Sequence, residues 1–177
     1  MAGKGVFMSE AFTLYKLIVL YMLEKVDFPL TNGQISEFIL EKGYTSYFTL
    51  QQAISEMVTA GFIREESTHN RTLYHLTEEG AETIQFFKSN ISPAIRKDVD
   101  SFMAEKAYEL KNEVSVKADY YPNSANEYSV RCQIFESGST LLELTVSVPT
   151  EDEAISVTNN WGKRNQEIYA QIMASLL

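Results

Sequence analysis

The sequence predicts an α+β fold in two parts, one over residues 1–90 and one over 91–177. Three patterns lead there. Apolar residues recur at three- and four-residue spacing through the first sixty positions. Two short strand-like runs around a polar turn follow, with another helix behind them. From about residue 114 the period changes to two, over three consecutive runs, before a last long helical stretch.

The first helix is expected over about 9–26, where Leu14, Leu17, Ile18, Tyr21 and Met22 share a face. Asp27-Phe28-Pro29 closes it, because proline disfavours helix in the residue before it. Thr31 is a good N-cap for a second helix, and Gln34, three residues later, completes a capping box. Gly43 is a fitting stop. The stretch TSYFTLQQAISEMVTAGFI, 45–63, reads as a third helix that ends at Gly61 and runs into a strand. Leu50, Ala53, Ile54, Met57 and Val58 face inward at helical spacing. Ser46, Tyr47, Gln51, Gln52 and Ser55 are left on the other side. A hairpin is expected from FIREE and TLYHL around the turn STHNR. Thr77 then caps a fourth helix whose first turn carries Glu78 and Glu79 at the positive dipole end. Helix, helix, helix, hairpin, helix is the order of a winged helix-turn-helix.

Ser92-Pro93 starts a fifth helix, to about residue 112, with Ile95, Val99, Phe102, Met103 and Leu110 on its buried side. Three alternating runs follow, around Val114–Tyr120, Tyr128–Ile134 and Leu142–Val148, joined by PNSAN and SG. Connections this short predict a three-stranded antiparallel meander with one buried face. Thr150 and Glu153 make a second capping box for the last helix, which passes Trp161, Ile168, Ile172 and Leu176 and is expected to kink near Gly162.

The net charge is −9. Residues 1–90 carry seven Lys/Arg against eleven Asp/Glu, and 91–177 carry eight against thirteen, so both halves are acidic. Phosphate contacts supply most non-specific affinity for DNA, so neither half is a general polyanion binder, and any nucleic-acid contact must be local. The apolar run LIVLYML is too short to span a bilayer. With no hydrophobic signal segment and one cysteine, Cys132, the expected compartment is the cytoplasm.

FTLQQAISEMVTAGFI, the hairpin and YHLTEEG together resemble the winged-helix regulators of the PadR and MarR type. There a helix ends at a glycine, a wing follows, and a leucine-threonine-x-x-glycine turn opens the next helix. YFTLQQ, LTEEG, NEYSVRC and NNW resemble, over almost the whole chain, an uncharacterised clostridial family known as a domain of unknown function. The resemblance implies a transcriptional regulator and no particular mechanism.

The expected function is sequence-specific DNA binding by a homodimer, with the third helix in the major groove and the wing on the backbone. Gln51 or Gln52 suits adenine, Ser46 and Thr49 suit phosphates, and Tyr47 suits thymine methyls, with Ser55 on the same face. Arg64, His69, Asn70 and Arg71 give the wing local basic character, and Lys4 is placed beside them on an N-terminal tail. The alternative is a protein-interaction adaptor on the same scaffold, because no lysine or arginine lies between Thr45 and Gly61 and Glu56 does. The fifth and last helices are the first choices for a dimer contact. Trp161, Tyr169, Leu176 and Leu177 either join that contact or close the core. The open sheet face, with Tyr121, Arg131, Phe135 and Leu141, is a place for an effector or a partner. No enzyme, cofactor, metal or membrane partner is expected: His69, His75 and Cys132 lack metal-ligand spacing, and Cys132 falls on a buried strand face.

Overall fold

The computed structural model describes residues 2–177, with side chains from Glu10 onward. Among these residues the chain is α+β, with six α-helices and two three-stranded antiparallel sheets. In chain order the elements are α1 (Ala2–Glu24), β1 (Leu30–Thr31), α2 (Asn32–Glu41), α3 (Tyr47–Thr59), β2 (Ile63–Ser67), β3 (Thr72–Leu76), α4 (Glu78–Phe87), a 3₁₀ turn (Lys88–Asn90), α5 (Pro93–Ser115), β4 (Val116–Pro122), β5 (Tyr128–Glu136), β6 (Ser139–Val148) and α6 (Glu151–Leu176).

Two compact units result. The first is Met1–Ser67 with Arg71–Lys111, and the second is Thr68–Asn70 with Asn112–Leu177. The division falls after residue 111, not after residue 90, because α5 packs into the first core. Val99, Phe102, Met103 and Leu110 are buried with Phe38, and the Phe38 and Phe102 rings are 5.0 Å apart. Polar groups pin the same helix. Tyr21 and Tyr44 donate to Asp100 and Asp98 at 2.9 and 2.6 Å, and the buried Gln34 amide donates to the Leu110 carbonyl at 3.2 Å.

In the first unit, residues 17–23 of α1 are all buried, so this helix is surrounded by the others rather than lying on them. The Thr31 capping box forms as expected and starts α2. The first sheet has a strand that the hairpin pattern did not show: β1 pairs with β3, giving the order β1-β3-β2. Two residues beside a helix cap are too short for an alternating pattern.

The corner after α3 depends on two glycines. Gly61 takes φ +80, which only a residue without Cβ adopts freely. Gly80 lies so close to this corner that a Cβ there would sit 2.0 Å from the Phe62 carbonyl oxygen. The Thr77 hydroxyl reaches the Gly61 and Phe62 carbonyls at 2.6 and 2.8 Å and accepts the Gly80 N–H at 3.1 Å. Leu76-Thr77-Glu78-Glu79-Gly80 is therefore a clamp that ties the start of α4 to the α3–β2 corner.

In the second unit β4, β5 and β6 form the expected meander, with α6 against one face. Val114 belongs to α5 rather than to the first strand: it lies four residues after Leu110, and both are buried. Ser137 (φ 51) and Gly138 (φ 77) make the two-residue β5–β6 turn, both with the positive φ that a type I′ hairpin needs. Trp161 is buried and donates its indole N–H to the Gln133 carbonyl at 3.3 Å, so it closes the core. The helix α6 is continuous through Gly162.

Candidate functional site

The helix α3 is built to show one face. Ser46 caps it, its hydroxyl accepting the Thr49 N–H at 3.2 Å, and Leu50, Ala53, Ile54 and Met57 are buried on the inner side. Outward lie Tyr47, Phe48, Gln52, Ser55, Glu56 and Thr59. Phe48 is 78 % exposed and Tyr47 54 %, so two aromatic rings stand in the first turn. No cation lies on the helix, and its one acid, Glu56, is met by Lys16 at 2.7 Å.

Several of the expected DNA contacts are otherwise engaged. Gln51 is half-buried, and its amide is paired reciprocally with Asn32, accepting at 2.7 Å and donating at 3.0 Å. Asn32 also donates to the Tyr74 hydroxyl at 3.2 Å and accepts from Ser36 at 3.0 Å. Both polar ends of Gln51 thus belong to the fold, because leaving them unpaired under a packed helix is costly. Gln52, Ser55 and Ser46 remain exposed, and Thr49 is half-buried, its hydroxyl taken by Ser46 at 3.0 Å.

The β2–β3 hairpin divides its charges between its faces. Residues paired across antiparallel strands share a face, and neighbours along a strand alternate. Glu65 pairs with Tyr74, whose hydroxyl joins the Asn32–Gln51 network beside α3. Arg64 pairs with His75 and lies on the opposite face, where Glu66 meets His75 Nε2 at 2.8 Å. Burial, and then Arg64, hold the His75 imidazole below its ordinary pKa, so it adds no charge at neutral pH. Arg71 is half-buried and has partners of its own.

The tip of that hairpin, residues 68–70, groups with the second unit. His69 stacks on Tyr120 with ring centroids 3.9 Å apart, and its Nδ1 bonds the Asp119 carboxylate. Asn70 is exposed, its N–H near the Thr68 hydroxyl. The side chain of Lys4 lies outside the described residues.

On the open face of the second sheet, Arg131 is neutralised by Glu143 at 2.9 Å, and Gln133 donates to the same carboxylate at 2.6 Å. Tyr121 and Leu141 are exposed beside them, and Phe135 is half-buried. At the end of α6, Tyr169 is half-buried and Leu176 and Leu177 are exposed. Among the described residues no group of three or more His, Cys, Asp or Glu is placed to hold a metal, and no helix is long and apolar enough to cross a membrane. Burial pushes the Cys132 thiol up to about 11, which leaves it a buried apolar group rather than a nucleophile.

The residue that the sequence reasoning passed over is Phe48. Helical spacing from Leu50, Ala53 and Met57 already turns position 48 outward, and an outward phenylalanine was the available signal. Asn32 was also missed, because its partner Gln51 lies nineteen residues away on another helix.

A family model described as Domain of unknown function (DUF4364) matches residues 15–176. No curated protein matches the chain. No solved structure matches it either.

Proposed function

We propose, from the premise that this chain belongs to the DUF4364 family, that its first unit is a winged helix whose third helix docks a protein partner. The scaffold reading is supported by the order α1, β1, α2, α3, β2, β3, α4 with sheet order β1-β3-β2, and by its resemblance to PadR- and MarR-type regulators. The observation that carries the partner reading is the pair Tyr47 and Phe48, both more than half exposed at the start of a helix without a cation. Burying one such ring is worth about 1.5–3 kcal/mol, and aromatic anchors dominate protein interfaces. A duplex would instead need local cations against its phosphates. Here Arg64 is on the far face of the wing and Glu65 on the near one. The protein acts as an adaptor or co-regulator in this reading.

One observation favours sequence-specific DNA binding as a second reading. Gln52 presents a free amide in the N-terminal part of α3, where major-groove contacts are made.

A photoreactive phenylalanine analogue at position 48 of the full chain, irradiated in cells, separates the two. Cross-linking to a single protein, lost when Tyr47 is changed to alanine, is the expected result. In parallel, fluorescence anisotropy with DNA from upstream of the chain's own gene should show weak binding at low salt, unchanged in Arg64→Ala/Arg71→Ala and in Gln52→Ala. Tight binding whose sequence preference disappears in Gln52→Ala would replace the adaptor with the DNA-binding regulator.

A further inference from the structure

We propose that β6 is the self-association edge of this protein, pairing antiparallel with β6 of a second copy to make one continuous six-stranded sheet. The interface rests on the second unit alone, whatever α3 binds.

The order β4-β5-β6 leaves two edges. Unpaired edges present a row of free N–H and C=O groups and are normally defended by lysine, proline or a cover. The β4 edge has all three: Lys117, Pro122, and the His69 ring stacked on Tyr120. Among the described residues the β6 edge has none over its ten residues and carries a single charge, Glu143. Its irregularity, the register shift opposite Ile134 and Phe135, lies near one end and leaves the run from Leu142 to Val148 regular.

The side chains along β6 show the same incomplete cover. Leu142, Leu144 and Val148 pack toward α6 but are only partly buried, while Cys132, the cross-strand partner of Leu144, is sealed. Val146 is paired with Val130 on that face and is still 38 % exposed. An apolar row beside an open edge is what a further strand would cover.

A second copy fits this edge by its own pattern. A two-fold axis normal to the sheet makes paired residues share a face, so a residue must pair with one of its own parity. Over the length of β6 two registers of equal extent satisfy this. Centred on residue 143, the first sets Glu143 against its own copy, and like charges directly opposite are destabilising. Centred on Leu144, the second pairs Leu144 with itself, Leu142 with Val146 of the other copy, and Glu143 with Thr145. It joins the two half-covered apolar rows and separates the carboxylates, so the second register is the one assigned.

Sedimentation velocity of the full chain over about 1–100 µM tests this. The wild type is expected to dimerise. Val146→Lys, at an exposed position, should raise the dimer dissociation constant at least about tenfold with an unchanged far-UV spectrum, since each copy loses a Val146–Leu142 contact. A nitroxide on Ser147→Cys reads the register: position 147 lies opposite 141 of the other copy, so the two labels sit six residues apart along the strand, about 20 Å. A wild type that stays monomeric at the highest concentration, a Val146→Lys dimer of wild-type affinity, or labels at or beyond the roughly eight-residue spacing of about 27 Å that the register centred on residue 143 gives, each overturn the assignment.

Discussion

Gly80→Ala and Gly162→Ala make one chemical change in two helices and have opposite expected signs. At Gly162 an added Cβ meets nothing within 4 Å, so only helix propensity counts. Alanine over glycine in a helix interior stabilises by about 1 kcal/mol. At Gly80 the Cβ would lie 2.0 Å from the Phe62 carbonyl oxygen and 2.9 Å from Leu76 Cδ1. Non-bonded carbon and oxygen need more than about 3 Å, so the start of α4 must retreat by about 1 Å. That movement pulls Thr77 from the Gly61 and Phe62 carbonyls. The weakened cap costs about 1 kcal/mol. The weakened hydroxyl–carbonyl bond costs about 1 kcal/mol more. Residual overpacking adds about 1–3 kcal/mol. Subtracting the propensity gain of about 1 kcal/mol leaves Gly80→Ala destabilised by about 2–4 kcal/mol. Urea unfolding of the full chain reads both changes. The far-UV midpoint should fall by about 1 M or more for Gly80→Ala, at an m-value of about 2 kcal/mol/M. Emission from Trp161, the single tryptophan and buried in the second unit, should show a raised midpoint for Gly162→Ala. A Gly80→Ala chain as stable as wild type would show that α4 slides freely, and the clamp would not be what holds the corner.

Two further outcomes follow from titrating groups. Burial, and then the bond to Asp98, push Tyr44 up to about 12, while that bond, and then Lys42, hold Asp98 below the usual 3.8. The Asp98 contribution to stability is therefore present above pH 3.8 and lost as pH falls, and the Tyr44 contribution is present below pH 10.0 and lost on the way to about 12. Tyr44→Phe should flatten both limbs of a plot of urea midpoint against pH, and limbs as steep as wild type would contradict the pairing. Cys132, with its thiol at about 11, should resist alkylation of the native chain at pH 8 and react only as fast as the protein opens; prompt labelling would show that its strand face is not sealed.

Local chemistry made much of the fold legible. The Thr31 and Thr150 capping boxes, the Gly61 stop and the Ser-Gly hairpin depend on residues within four positions of one another, and each stands where the sequence placed it. β1 escaped because two residues carry no period. The last turn of α5 escaped because Val114 fits both the helical spacing that precedes it and the alternating pattern that follows. At the candidate site the exposed positions of α3 were readable, but their availability was not. Gln51 is taken by a residue on another helix, and His69 by residues fifty positions on. Arg64 is instructive: alternation with the buried Ile63 already put it on the other face of its strand, but which face turns toward α3 is set by Tyr74 reaching Asn32.

The way α5 is held bears on how the chain can be cut. A fragment ending at Asn90 would look complete on paper, since α1 to α4 and the first sheet all precede that point. It would nonetheless take the Phe102 ring from Phe38 and the Leu110 carbonyl from a buried glutamine amide. It would also strip Tyr21 and Tyr44 of their carboxylates. The helix that opens the second half of the sequence is the closing wall of the first, and the first compact unit runs through Lys111.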